Sequence, residues 1–329
     1  MKKLVLSIAA VFVLWAIWAL VLPVSLAEGT VVSISVGQGA SSISHALADA
    51  GVVRSALGFR LITRVSGKQG QLKAGDYEVP DGLNAFQTLD LLVSGKTLVH
   101  RFLVREGLSA KQIAALLQQE KLGAADKFMA AVKDAALVKE LRVPGPTLEG
   151  YLFPDTYNMA KGLDERAVAK LMVARFKKKV PDSLLAQGSA IRLTPVQVMS
   201  MAALIEKEAK ADKERPLVSG VFRSRMKQKK RLESCASVRY ALDKWTGPLY
   251  NKDLVVASPY NTYQVFGLPP GPICSPGLAS INAALHPTET DALYFVVAGD
   301  GTHIFSKTYE EHLAAKARWK KLKKGIVDE

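Results

Sequence analysis

Thr194-Pro195-Val196-Gln197-Val198-Met199-Ser200-Met201-Ala202-Ala203-Leu204-Ile205-Glu206-Lys207-Glu208 is the stretch that decides how this chain folds. Thr194 suits an N-cap, Pro195 the first helical position, and Gln197 can close a capping box three residues on. From Val198 to Ile205 the helix offers only apolar residues or Ser on every face, and a helix apolar all round is buried. A carboxylate at its end loses water, which disfavours the charged form and raises the pKa. An unperturbed Glu, with a pKa of about 4.3, is only about 0.2 % protonated at pH 7, and a rise of roughly two units makes it a usable proton donor. The plain alternative is that Glu206 and Glu208 begin the solvated end of a core helix. Periodicity leaves open which acid matters. Glu206 follows Met199, Ala202 and Ala203 at helical spacing, and Glu208 follows Met201, Leu204 and Ile205.

Around that helix, 329 residues leave room for about two domains. The chain is 49% hydrophobic and 22% charged, a globular balance that excludes a disordered chain. Lys and Arg number 44 against 30 Asp and Glu, a net +14 that suggests an anionic partner or surface: nucleic acid, phospholipid headgroups or an anionic cell-wall polymer. Much of the excess lies between Arg223 and Arg231 and between Lys316 and Lys324, where a solvated helix face explains it equally well.

The N-terminus narrows the choice. Lys2 and Lys3 precede an uncharged, mainly apolar run from Leu4 to Ala27. A helix of about 20 such residues spans a bilayer, whereas the core of a cleavable signal peptide is about 7–15 residues long. Ser25-Leu26-Ala27 is nevertheless a passable cleavage site. With two lysines before the run and none after it until Arg54, the N-terminus is expected in the cytoplasm and the rest outside, which removes nucleic acid as a partner. Only two cysteines occur, Cys235 and Cys274, with no metal-binding spacing, and the five histidines are scattered. No metal or cofactor is expected.

Past the apolar run, a weak repeat recurs. Val36-Gly37-Gln38-Gly39-Ala40-Ser41 resembles Val79-Pro80-Asp81-Gly82-Leu83-Asn84 and Val104-Arg105-Glu106-Gly107-Leu108-Ser109. Each follows a short alternating stretch and precedes a helix-like run, so the unit is strand, Gly turn, cap, helix. The turn glycines Gly39, Gly82 and Gly107 are unevenly spaced, which excludes a solenoid. Pro144-Gly145-Pro146 marks a turn or linker. Beyond it, helices are expected over 165–179, 194–208, 213–230 and 309–324, with a hairpin of 293–298 and 303–305 about Gly299-Asp300-Gly301. The stiff loop bearing Tyr260-Asn261-Thr262-Tyr263 suits sugar binding through ring stacking and amide bonds, though turns also need Asn and Pro.

Read together, these segments resemble the MltG (YceG-like) family of endolytic murein transglycosylases. The resemblance runs over nearly the whole chain: the apolar N-terminus, Glu-Gly-Tyr-Leu-Phe-Pro-Asp-Thr-Tyr at 149–157, Ile-Glu-Lys-Glu at 205–208, Tyr-Asn-Thr-Tyr at 260–263, Gly-Leu-Pro-Pro-Gly at 267–271 and Leu-Tyr-Phe-Val at 293–296. It implies an α+β chain in three parts: a cytoplasmic stub and single transmembrane helix over 1–27, a LysM-like βααβ glycan-binding region over 28–143, and a mixed α+β catalytic domain over 144–329. It makes Glu206 the catalytic acid, choosing between the two carboxylates where periodicity does not. It makes Tyr151, Tyr260, Asn261, Thr262 and Tyr263 the substrate-binding candidates. Many members carry Asp-Pro-Thr where this chain has Cys235-Ala236-Ser237. A subset has Cys there with a second Cys at the place of Cys274, and a disulfide between the two is the expectation.

The resemblance implies an enzyme of the cytoplasmic (inner) membrane that works on peptidoglycan strands beside peptidoglycan synthases. It would cut the N-acetylmuramic acid to N-acetylglucosamine bond without water, leaving a 1,6-anhydro end. One carboxyl can serve twice, first donating to the glycosidic oxygen and then taking the C6 hydroxyl proton. Hydrolysis would instead need two carboxyls about 5–5.5 or 6.5–9.5 Å apart. Glu206 and Glu208 point about 200° apart around the helix and cannot flank one bond. A muramidase would therefore need Glu149, Asp155 or Glu214 to approach. The remaining alternative is a wall-binding scaffold without catalysis.

Overall fold

The structure is a computed structural model that describes residues 2–298 and 301–327. Helices dominate it, and its three sheets among the described residues are two-stranded. The chain forms two compact units. One holds the chain as far as Phe102, with Leu117–Gly123 and Tyr157–Asp164; the other holds Leu103–Leu116, Ala124–Thr156 and the chain from Glu165 onward. The boundary expected at 143/144 is thus not where the contacts divide. The helix Ala125–Lys133 buries Phe128, Ala131 and Val132 against the helix Glu165–Lys179, which takes it into the second unit.

In the first unit, Lys3–Val21 is a helix of 19 residues with a mean hydropathy of 2.7, long and apolar enough to cross a membrane. Its end is tied down by polar contacts. Arg54 lies over the Trp18 ring and donates to the Pro23 carbonyl, and Leu26 N–H donates to Asp81 Oδ1 at 2.7 Å. Strand Val31–Ile34, helices Ala40–Asp49 and Ala56–Val65, and strand Gly75–Glu78 follow in β-α-α-β order. The strands pair antiparallel with Val32 opposite Tyr77. Alternation in the first strand sends Val32 and Ile34 inward onto Ile43, Leu47, Phe59 and Leu92.

All three copies of the strand-turn-helix repeat form, over strands Val31–Ile34, Gly75–Glu78 and Val99–Leu103 and helices Ala40–Asp49, Ala85–Ser94 and Ala110–Gln119. Their register differs from the expected one in the first copy. The left-handed turn residues are Gly37, Gly82 and Gly107, with φ of +84°, +78° and +77°, and the caps fall two residues later, at Gly39, Asn84 and Ser109. Gly39 is therefore a cap and not a turn glycine.

In the second unit the helix Pro195–Glu208 forms with the expected bounds and capping box. Every residue from Val198 to Ile205 is buried. Helices Arg215–Lys227, Cys235–Leu242 and Leu278–Leu285 pack around it. At about 1.5–3 kcal/mol for each large apolar side chain, this burial fixes the helix as the centre of the unit. The single helix expected over 213–230 is a short Asp212–Glu214 turn followed by Arg215–Lys227. Strands Tyr294–Val297 and His303–Ser306 pair antiparallel; of their expected turn, Gly299 and Asp300 lie outside the described residues. The helix Tyr309–Val327 follows.

Candidate active site

The buried helix delivers Glu206 into a set of donors. Arg215, at the start of its own helix, approaches Oε1 at 3.2 Å, and the Gly277 N–H donates to Oε2 at 2.9 Å. Arg215 also donates to Ser280 and, through Nε at 3.1 Å, to Asp212. Glu206 therefore meets a counter-charge, not the apolar pocket its helix led one to expect.

Three segments are stitched together here. Gly107 N–H donates to Ser275 O and Ser275 N–H to Leu108 O, each at 2.8 Å. Lys207 Nζ donates to Gly107 O at 3.2 Å while lying 4.5 Å from the centre of the Trp245 ring. These bonds set Glu106 beside Gly277, where an added Cβ would stand 1.9 Å from Glu106 Oε1. Only glycine leaves that space open. Burial and then the charge of Glu206 push the Glu106 carboxyl above its ordinary pKa, with Arg215 pulling the other way. Sequence reasoning missed Glu106 and Arg215. Glu106 was visible only as the residue before a turn glycine, and Arg215 as one basic residue among many.

Glu208 faces elsewhere. It lines a cavity of about 230 Å³ with Arg225, Cys235, Tyr263, Tyr294 and His312. Ser234 Oγ donates to its Oε1 at 2.5 Å. Burial is the main cause that raises the Glu208 pKa above its ordinary value.

The five expected substrate-binding residues divide. Tyr263 borders the Glu208 cavity, and Tyr260 is half-buried with its ring 4.9 Å from that of Tyr240. Tyr151, Asn261 and Thr262 are buried, with their polar groups turned to the protein's own loops and core. Asn261 staples its loop by donating to Leu254 O and Val256 O and accepting from Tyr263 N–H. Thr262 is bound to Ser237 and accepts from Ser234 N–H. The Tyr151 ring packs edge-on against Phe176. The expected disulfide is absent: both thiols are free, Cys235 at 3.3 Å from the Tyr263 hydroxyl and Cys274 buried at 3.5 Å from Ala203 O.

The other acids named from sequence are engaged. Glu149 accepts the Ala110 N–H at the start of a helix through both oxygens, at 3.0 and 3.1 Å, and burial pushes its pKa up to about 7. Asp155 pairs with Arg175, and Glu214 with His303 at 2.8 Å. Among the described residues no three His, Cys, Asp or Glu side chains are grouped to hold a metal ion.

Comparison with known proteins places the chain among relatives. The model of the YceG-like family matches residues 32–318. The endolytic murein transglycosylase of Bacillus subtilis (strain 168) is 32% identical over 317 residues, covering 90% of this chain and 87% of that protein. The endolytic murein transglycosylase of Streptococcus pneumoniae serotype 2 (strain D39) is 28% identical over 314 residues, covering 85% of this chain but 56% of that longer protein. The crystal structure of a YceG-like protein of Listeria monocytogenes superposes with a TM-score of 0.60 at 31% identity, covering 86% of this chain and 98% of that one. The chain belongs to the YceG-like family.

Proposed function

We propose that this chain is a membrane-anchored endolytic murein transglycosylase that works at Glu206. The names of its relatives support the activity. The observation that carries the site is Glu206 itself, a recessed carboxyl at the end of a fully buried helix, gripped by Arg215 and the Gly277 N–H. In the reaction, the bond from C1 of N-acetylmuramic acid to the leaving sugar oxygen breaks. That oxygen gains a proton, the C6 hydroxyl loses one, and O6 closes on C1. No water is consumed, and the net requirement is proton traffic that carboxyl groups can supply.

Lys3–Val21 is the anchor in this reading. Lys2 and Lys3 keep the N-terminus in the cytoplasm, and the cleaving unit lies outside the cytoplasmic (inner) membrane. The β-α-α-β module acts as a LysM-like glycan-binding element, and peptidoglycan synthases working on the same nascent strands are the natural partners.

One observation favours hydrolysis as a second reading: Glu106 supplies, near Glu206, the second carboxyl a muramidase needs. The experiment is to treat uncrosslinked glycan strands with the detergent-solubilised full chain and weigh the products. Anhydro-muramoyl ends are expected. Reducing muramoyl ends would replace the reading with a hydrolase, and strands bound but uncut would replace it with a scaffold.

A further inference from the structure

We infer that the helix Ala56–Val65 lies on the outer surface of the membrane, its exposed stripe seated among anionic phospholipid headgroups, so that the β-α-α-β module rests on the bilayer and does not hang from a tether. The inference rests on the anchor reading above. Its ground is how the apolar helix and the module are joined. An added Cβ at Gly58 would stand 2.9 Å from Leu20 Cδ2 and 3.4 Å from Ala19 Cβ. Ala19 is buried, and Leu20 and Leu26 pack against the core of the module. Just beyond, Val24 N–H donates to Leu83 O and Gly82 N–H to Val24 O, at 3.0 and 3.1 Å. The anchor therefore runs into the module with no free linker between them.

Length then sets the height. The 19 residues of Lys3–Val21 rise about 28 Å at ~1.5 Å each, close to the ~30 Å hydrocarbon core of a bilayer. With Lys2 and Lys3 held at the cytoplasmic headgroups, Ala19 and Leu20 come within a turn of the opposite boundary. Whatever packs on them meets the bilayer surface.

The face brought there has the composition of an interfacial helix. Ala56–Val65 turns Phe59, Ile62 and Thr63 into the module. Leu57, Leu61 and Val65 form one stripe beside Gly58, and they are 59%, 40% and 87% exposed. Arg60 and Arg64 border the stripe and are exposed too. Water is a poor partner for three such apolar side chains in line. A headgroup–acyl boundary takes the apolar groups and the guanidiniums together. Phe86, also exposed in the first turn of Ala85–Ser94, adds a second apolar prong beside the Gly82–Leu83 segment that bonds to Val24. Trp18, under Arg54, stands where aromatic rings mark a membrane interface.

Labelling the full chain in vesicles tests this. A bimane label is placed at Leu14→Cys, His45→Cys, Leu61→Cys or Val65→Cys, each in the Cys235→Ser chain, whose other thiol is buried. The vesicles combine phosphatidylglycerol with phosphatidylcholine, with or without brominated acyl chains. Labels at 61 and 65 are expected to lose fluorescence to brominated lipid and to be shielded from aqueous iodide. The label at 45, exposed on the helix Ala40–Asp49, is expected to behave oppositely. Arg60→Glu with Arg64→Glu should lower the seated population in these vesicles roughly fivefold for each arginine. Should that chain not fold, Arg60→Gln with Arg64→Gln carries the same comparison. Labels at 61 and 65 open to iodide and untouched by lipid overturn the inference. Shielding from both quenchers also overturns it, since a second copy or another protein would then cover the stripe. Equal lipid quenching at 45, or no effect of removing the arginine charges, overturns it as well. In each of these cases a label at 14 quenched by lipid leaves the anchor reading standing, because that residue sits inside Lys3–Val21; an unquenched label at 14 overturns the anchor itself.

Discussion

The guanidinium of Arg215 lies 3.2 Å from Oε1 of Glu206, and the two side chains are 8% and 7% exposed. Neither charge is well solvated, so each depends on the other. Breaking a buried pair by removing one partner costs about 3–5 kcal/mol, because the remaining charge is left uncompensated. Residue 206 therefore carries structural as well as chemical weight.

Glu206→Gln should abolish strand cleavage and also lower thermal stability. The amide oxygen still accepts from Arg215 or Gly277, so the loss should be about 1–3 kcal/mol, smaller than in Glu206→Ala. Calorimetry beside product analysis checks both. An active Glu206→Gln, with cleavage lost in Glu208→Gln, would move the chemistry to the Glu208 cavity.

Gly277→Ala should damage activity more than folding. The new methyl would overlap the Glu106 carboxylate, the movable end of a side chain. Glu106 must swing away, which the backbone survives. Cleavage should fall at least tenfold while the melting temperature changes by a few degrees, about what 1 kcal/mol produces in a unit this size. Unaltered kinetics would separate Glu106 from the reaction.

Glu149 should make stability depend on pH. Its pKa is about 7 in the fold against 4.5 for the ordinary group, with burial as the cause. Between those values the folded chain holds a proton that the unfolded chain has released, so stability is greatest below about pH 4.5, falls as pH rises toward 7, and is level above. The change is roughly 3 kcal/mol. Glu208, also raised by burial, acts in the same direction. Denaturant unfolding at pH 5 and pH 7.5 should show a smaller difference in Glu149→Gln than in the unaltered chain, and an equal difference would remove Glu149 as the source.

What could be read from the sequence was what local patterning controls. The capping box and all-round apolar character fixed Pro195–Glu208 before any coordinates, and the strand-turn-cap grammar found all three repeats. Composition also marked the apolar run from Leu4 to Ala27, of which the part to Val21 is the long apolar helix. The site was less legible because long-range backbone pairing builds it. Nothing local in Glu106-Gly107 announces that it bonds to Ser275, nor that Arg215 will find Glu206. The same gap hid the bonds of Asn261 and Thr262: a polar residue in a stiff loop looks available until its carbonyl and hydroxyl partners are known.

Cys235 and Cys274 give the last prediction. Cys235 is exposed beside Tyr263, while Cys274 is wholly buried beneath the Glu206 helix. Burial pushes the Cys274 thiol well above its ordinary pKa, which starves it of the reactive thiolate. The folded, non-reduced chain should therefore label at one thiol and the denatured, non-reduced chain at two. Cys235→Ser should remove the native signal and leave strand cleavage within about twofold, because serine keeps a small polar group beside Tyr263. No labelling after denaturation would restore the disulfide that the family resemblance implied. Two native signals would mean that the 274 segment opens, and with it the Gly107 and Ser275 bonds that hold Glu106 beside Glu206.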